Sequence, residues 1–269
     1  MPWRETQDPY RILVSEIMLQ QTQVARVVEK YPRFIKAFPN FKALDKAQLA
    51  KVYGLWQGMG YNRRALALKK TAHIIVNDYN GALPQTNEEL CALPGIGKAT
   101  ASSIMAFAFN LPAVFVETNI RTVFIHFFFK NGKKVADEEI LPLVEMCLYK
   151  KNPRVWYWAL MDYGTMLKKI GEDKNTRSKH YKKQSRFEGS RRQKRGKILK
   201  ILLDCSGFKI KEICDRVKVV GEDWEMVKSG RWKVESEGKK KAKREEIKMI
   251  VEELRLEGMV REEKGRYFL

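Results

Sequence analysis

The sequence predicts a mainly α protein, with a large helical N-terminal region, a basic linker and a small winged-helix-like C-terminal domain. Three observations carry this. Apolar residues recur at helical spacing through residues 1–167, where strand-like alternation is nearly absent. Composition turns strongly basic between Lys168 and Lys200, with 14 Lys or Arg against 3 Asp or Glu. Beyond it, three helical stretches end in what reads as a short β-hairpin.

Taken in order, the first helix is expected from Tyr10 to Lys30, where Leu13, Ile17, Val24 and Val28 mark one face. Further helices are expected at 32–37, 46–53, 62–79, 86–91, 98–109, 118–129, 137–149 and 153–167. Breaks fall at Pro39, Gly58 with Gly60, Gly81 with Pro84, Pro94 with Gly95, and Pro112. These place domain boundaries at 1–167, 168–194 and 195–269. In the last, helices are expected at Gly196–Asp204, Lys209–Lys218 and Ala242–Glu257, with strands Met259–Arg261 and Arg266–Leu269 around Lys264-Gly265. Three helices and a hairpin suggest a winged helix, with a plain helical accessory domain as the alternative.

The 269 residues are 44% hydrophobic, enough for a buried core, and carry a formal net charge of +20. That excess favours a polyanionic partner, and the basic stretch 168–194 reads as a nucleic-acid arm or a solvated linker. No apolar run is long enough to cross a membrane, and no export signal is legible. A cytoplasmic chain on the nucleoid of a prokaryote-like cell, monomeric and without membrane contact, is therefore expected. Cys91, Cys147, Cys205 and Cys214 show no ligand spacing and read as reduced, partly buried thiols.

The strongest local motif is Leu93–Ala101, Leu-Pro-Gly-Ile-Gly-Lys-Ala-Thr-Ala, between two helical segments. Gly95 and Gly97 are expected to adopt backbone angles closed to other residues. They also let a phosphate approach the main chain. The helix starting near Lys98 points its free N–H groups at that phosphate, and Lys98 adds charge. Such a hairpin holds a DNA backbone without reading its sequence.

Breaking a sugar bond needs an acid for the leaving group and a negative charge for the developing cation, and paired carboxylates can supply both. Glu16 sits beside the apolar face of the first helix, with Gln20 and Gln23 expected on its own face. A carboxyl half-buried among apolar groups keeps its proton. Glu117 follows the apolar, strand-like run Ala113–Val116.

Several motifs together resemble, in order, the adenine DNA glycosylase (MutY) family of the helix–hairpin–helix DNA glycosylase superfamily. They are Pro2-Trp-Arg4, Asp8-Pro-Tyr10, Ser15–Val24, Leu55–Tyr61, Leu93–Ala101 and Ala159–Gly164. The resemblance covers residues 2–167. It implies that Glu16 is the general acid, that Gln20 and Gln21 enter the duplex, and that Tyr61 is the wedge filling the gap left by a flipped base. Arg4 aligns near the same pocket. Arg63, Pro94, Gly95, Gly97, Lys98 and Thr100 are implied DNA contacts.

The departures are as informative. Glu117 stands where the family has an aspartate, with Asn119 expected to orient it or the water. The extra methylene signals retained sugar stabilisation, a changed substrate or a slower enzyme. The position of the Schiff-base lysine of bifunctional relatives is Ala99, one residue past Lys98, so a monofunctional hydrolase is expected. The stretch 167–186 has no cysteine for the family's four-iron cluster, so a clusterless chain with no required cofactor is expected. A monovalent cation at the hairpin stays open. The abrupt start at Met1-Pro2-Trp3 implies either truncation or a shorter domain. Residues 195–269 are too short for the family's 8-oxoguanine-reading domain.

The leading functional reading is a monofunctional base excision repair glycosylase acting on adenine opposite 8-oxoguanine or guanine in double-stranded DNA. Removal of thymine or uracil opposite guanine is the second reading, and a non-catalytic DNA-binding protein the third.

Overall fold

The computed structural model describes residues 1–130, 132–204, 207–217 and 237–269. They group into two units: Met1–Lys46 with Ala67–Gln184, and Ala47–Leu66 with Ser185–Leu269. No described helix is long and apolar enough to cross a membrane.

The first unit opens with a 3-10 helix (Pro2–Arg4) and continues with α1 (Pro9–Leu19), α2 (Val24–Ala37) and α3 (Phe41–Lys46). Asp8 caps α1 by accepting the Tyr10 N–H, with Pro9 in the first turn. The long helix expected over 10–30 is therefore two helices. The chain breaks at Gln20–Gln23, where Gln21 takes a left-handed φ of 52°. Conversely, α2 runs through Pro32, so 32–37 is no separate helix. A proline already has a helical φ, and α2 tolerates both the backbone bond that Pro32 forfeits and the crowding of its ring against the preceding turn.

α4 (Leu49–Trp56) belongs to the second unit, as does the first turn of α5 (Arg63–Asp78), whose remainder belongs to the first; α6 (Asn87–Ala92) and α7 (Lys98–Phe109) follow. Then follow α8 (Thr118–Phe128), α9 (Asp137–Cys147) and α10 (Pro153–Lys169). The helix expected at 46–53 is found three residues later as α4, and α3 is an additional, unexpected helix. The core of the first unit is apolar and tightly closed: Leu13, Val14 and Met18 of α1, Ile104 of α7 and Ile120 and Ile125 of α8 have no exposed surface.

Three packing devices set the site. The Arg154 guanidinium donates to the Phe107 and Ala108 carbonyls, satisfying the C-terminal end of α7. Among the described residues the extended run 113–116 has no strand partner. Buried Tyr157 of α10 serves it instead, donating to the Ala113 carbonyl at 2.7 Å and accepting the Phe115 N–H. Gly164 lets α10 approach the start of α8, since a Cβ there would lie 2.4 Å from the Asn119 carbonyl oxygen.

After α10, a 3-10 helix (Lys174–Arg177) lies against α8. Arg121 pairs with Asp137, and Thr122 donates to Asp173. Part of the expected basic arm is thereby packed rather than free.

In the second unit, α11 (Arg191–Asp204), helical residues 210–217 (α12) and α13 (Glu237–Leu256) bury Ile198, Leu202, Ile213, Ile250 and Leu254. α11 and α13 both begin earlier than expected. Strands β1 (Phe208–Lys209), β2 (Arg261–Glu263) and β3 (Arg266–Phe268) form an antiparallel sheet in the order β1-β3-β2. Lys264 and Gly265 both have positive φ, as a tight two-residue hairpin turn requires. The expected strand Met259–Arg261 is shifted because Met259 and Val260 turn into the core. β1 carries no sequence signal at two residues. The expected helix end at Lys218, and Cys205, lie outside the described residues. Of the other thiols Cys214 is buried, Cys91 half-buried and Cys147 exposed, so the expectation of partial burial fails for Cys147.

Candidate active site and hairpin

Helices α1, α7, α8 and α10 of the first unit enclose a cavity of about 520 Å³ lined by Glu16, Ser103, Glu117, Asn119, Trp158 and Asp162, among others. That volume suits a small organic group.

Glu16 comes from the last part of α1 and is half-buried. Its Oε2 accepts the Ser103 hydroxyl at 2.6 Å. Burial raises its carboxyl pKa from 4.5 to about 7, with Ser103 and Arg4 opposing and the Glu117 charge adding to the rise. Glu117 is the N-cap of α8: its Oε1 accepts the Asn119 and Ile120 N–H groups at 2.7 and 2.9 Å. Burial pushes this carboxyl up too, against those two amides and the charges of Lys168 and Arg121. Asn119 serves the Glu117 carboxylate through its backbone N–H, while its side chain engages Lys168. Its Oδ1 accepts Lys168 Nζ at 2.7 Å, which brings a cation to the cavity edge. Arg4 pairs with Asp162 at 2.8 Å and lies over Trp158 at 5.5 Å.

The hairpin borders the same cavity. Gly95 has φ 80°, and a Cβ there would meet Ala67 Cβ at 2.8 Å, so glycine is required twice over. Gly97 differs from expectation: its φ is −95°, open to any residue, and nothing lies within 4 Å of a Cβ built there. Its contribution is open space before the amides of α7, which no side chain caps. Lys98 is exposed at the helix start, and the Pro94 carbonyl accepts the Thr71 hydroxyl.

Gln20 ties the hairpin to α1, donating to the Gly95 carbonyl at 3.1 Å and to Thr100 Oγ1 at 3.3 Å. Gln23 stands at the N-cap position of α2, without a capping side-chain bond, and does not share the helix of Glu16. Gln21 borders the cavity, exposed and left-handed. Ala99 also lines the cavity, and no lysine does.

In the second unit, Tyr61 is a 36% exposed tyrosine with φ 47°. Such backbone strain in a bulky side chain clusters at functional sites. Its hydroxyl accepts Arg192 Nη1 at 3.1 Å, and the Arg64 guanidinium lies 5.6 Å from its ring centre. Arg63 is engaged with Glu257, which also binds Arg195.

Sequence reasoning missed Ser103, Trp158, Asp162, Lys168 and Arg192. Asp162 lay within a motif already singled out. The others gave no local signal.

A family described as "HhH-GPD superfamily base excision DNA repair protein" matches residues 14–145. A thermostable thymine-DNA glycosylase of known structure is 30% identical, with a TM-score of 0.58, and the match covers 62% of this chain and 78% of that one. The chain belongs to the HhH-GPD superfamily.

Within the superfamily, an adenine DNA glycosylase of Buchnera aphidicola is 38% identical over 168 residues, 62% of this chain and 48% of the relative. One from Mycobacterium tuberculosis is 41% identical over 124 residues, 46% of this chain and 41% of the relative. A thymine/uracil-DNA glycosylase of Methanothermobacter thermautotrophicus is 34% identical over 128 residues, 47% of this chain and 58% of the relative. The chain thus spans about half the length of these curated relatives. An endonuclease III–DNA covalent intermediate shares the fold at 21% identity and a TM-score of 0.53.

Among the described residues no group of three or more His, Cys, Asp or Glu could hold a metal ion. The stretch 167–186 contains no cysteine and so offers none of the thiolates that a four-iron cluster needs.

Proposed function

We propose that this chain is a monofunctional DNA glycosylase of base excision repair that hydrolyses the N-glycosidic bond of adenine mispaired with 8-oxoguanine or guanine. The observation that carries the reading is Glu16, a half-buried carboxyl raised to about 7, in a cavity shared with Glu117 and bordered by the hairpin. A carboxyl with that pKa holds a proton near neutral pH and gives it to a departing base. Glu117, fixed by two amides, supplies negative charge for the oxocarbenium-like sugar. Water then completes the hydrolysis.

The uncapped start of α7, with Lys98, holds a phosphate of double-stranded DNA. Tyr61 and Gln21, both exposed and left-handed, enter the stack. Ala99 stands at the cavity wall, and no lysine lines the cavity, which supports hydrolysis without strand cleavage. The C-terminal helices and three-stranded sheet act as a winged-helix-like module, and its order of elements favours this over a plain helical domain.

Thymine or uracil removal opposite guanine is the second reading, favoured by the fold match to the thymine-DNA glycosylase. Base release from single-mispair duplexes separates the readings. Adenine opposite 8-oxoguanine or guanine should be released fastest, leaving an alkali-labile abasic site and an intact strand. Release confined to thymine or uracil opposite guanine selects the second reading. Salt-sensitive binding with no release selects a non-catalytic protein.

A further inference from the structure

We propose that Ser103 is a positioning residue for Glu16: by donating its hydroxyl proton to Oε2, it leaves Oε1 to carry the acid proton and then stabilises the carboxylate formed when that proton departs with the base. This rests on the proposed role of Glu16 as general acid.

Ser103 is 4% exposed on α7, in the turn after Thr100. Its single hydroxyl proton has two acceptors in reach, Glu16 Oε2 at 2.6 Å and the Thr100 carbonyl at 2.9 Å. The shorter contact has the length of an O–H···O⁻ bond, whereas the bond to Thr100 is the ordinary fallback of a serine inside a helix. A neutral carboxyl that accepts a hydrogen bond on one oxygen carries its proton on the other, so Ser103 selects between two otherwise equivalent atoms.

The bond grows stronger when the carboxyl becomes charged. The Glu16 proton goes to the base nitrogen, and the electrons of the broken N-glycosidic bond stay with the base. The Ser103 proton never leaves its oxygen.

The charged groups facing Glu16 explain why a neutral donor is needed. Glu117 at the start of α8 opposes ionisation. Arg4 in the first 3-10 helix favours it, but is already paired with Asp162 of α10. From α7 the hydrogen-bond donor is Ser103. The same turn is tied to the hairpin, because Gln20 binds both Thr100 and the Gly95 carbonyl.

The test follows the side-chain carboxyl of Glu16 by ¹³C NMR titration of the full chain, assigned by its loss in Glu16→Gln. The parent should titrate near 7. Ser103→Ala should raise the midpoint by about one pH unit, a ~tenfold change in the charged fraction at fixed pH. Ser103→Thr, which keeps the hydroxyl, should titrate near the parent. Should Ser103→Ala not fold, the near-isosteric Ser103→Cys should move the midpoint the same way by less.

In single-turnover release of adenine opposite 8-oxoguanine, Ser103→Ala should lower the plateau ~tenfold and carry the alkaline limb upward with the midpoint. A midpoint that stays put or falls overturns the proposal, as does a lowered plateau with an unmoved limb. A parent that releases no base while the midpoint still moves contradicts the glycosylase reading and leaves the proton placement standing.

Discussion

Helices α7 and α8 both begin at the edge of the cavity, and their ends are finished in opposite ways. α8 is capped from within: Glu117 turns its carboxylate onto the first amides of its own helix. α7 is capped by nothing of its own, since Gly97 has no side chain and leaves open space in front of Lys98. The capped end holds a charge still for chemistry. The bare end keeps its amides for an external anion. Between them stands Glu16, receiving a hydrogen bond from α7 and repulsion from Glu117.

The largest test of this contrast is Glu117→Ala, which removes charge and cap together. Single-turnover base release should fall about 10²–10³-fold, and stability by about 1 kcal/mol. Glu117→Gln keeps an acceptor oxygen for the two amides, so it should unfold in urea close to the parent while release stays slow. Full activity in Glu117→Ala would reduce the residue to a cap.

Next comes the pH dependence of stability. The native state keeps the Glu16 proton up to about 7, whereas the unfolded chain releases it near 4.5. The native state therefore binds more protons across that window, and stability falls as pH rises through it. Glu16→Gln should gain on the parent from pH 4.5 to above 7 by on the order of 3 kcal/mol. Urea midpoints at several pH values check this, and a constant difference would contradict it.

Gly164→Ala probes the joint that places α8. With the Asn119 carbonyl at 2.4 Å from the added carbon, a loss of about 1–3 kcal/mol in urea unfolding is expected.

The smallest effect is the most discriminating. Gly97→Asp fits sterically and gives α7 the cap it lacks. Stability should rise by a few tenths of a kcal/mol, while affinity for duplex DNA falls roughly tenfold as carboxylate competes with phosphate. Unchanged affinity would mean that the bare end holds nothing.

What could be read in advance follows from the range of the interactions. The hairpin and the starts of α1, α7 and α10 were legible because glycine, proline and capping residues act within a few positions. The break after α1 was not, since Gln20, Gln21 and Gln23 are ordinary helix formers and Thr22 alone is a weak signal, while the chain turns at the left-handed Gln21. Glu16, Glu117 and Asn119 could be named, but not the serine that holds Glu16. Ser103 is 87 residues from Glu16 and reads as an unremarked helix serine, and Arg192 is 131 residues from Tyr61. Gly97 was assigned a strained angle that the chain does not use, because a glycine required for open space looks the same in sequence as one required for its φ.

The central claim is that Glu16 performs the chemistry and the hairpin the holding. The direct measurement is single-turnover release of adenine opposite 8-oxoguanine by the parent and by Glu16→Gln, with duplex affinity determined for both. The account predicts affinities within a few-fold of each other and release slowed by about 10²–10⁴-fold in the variant. Equal release by the two proteins would contradict it.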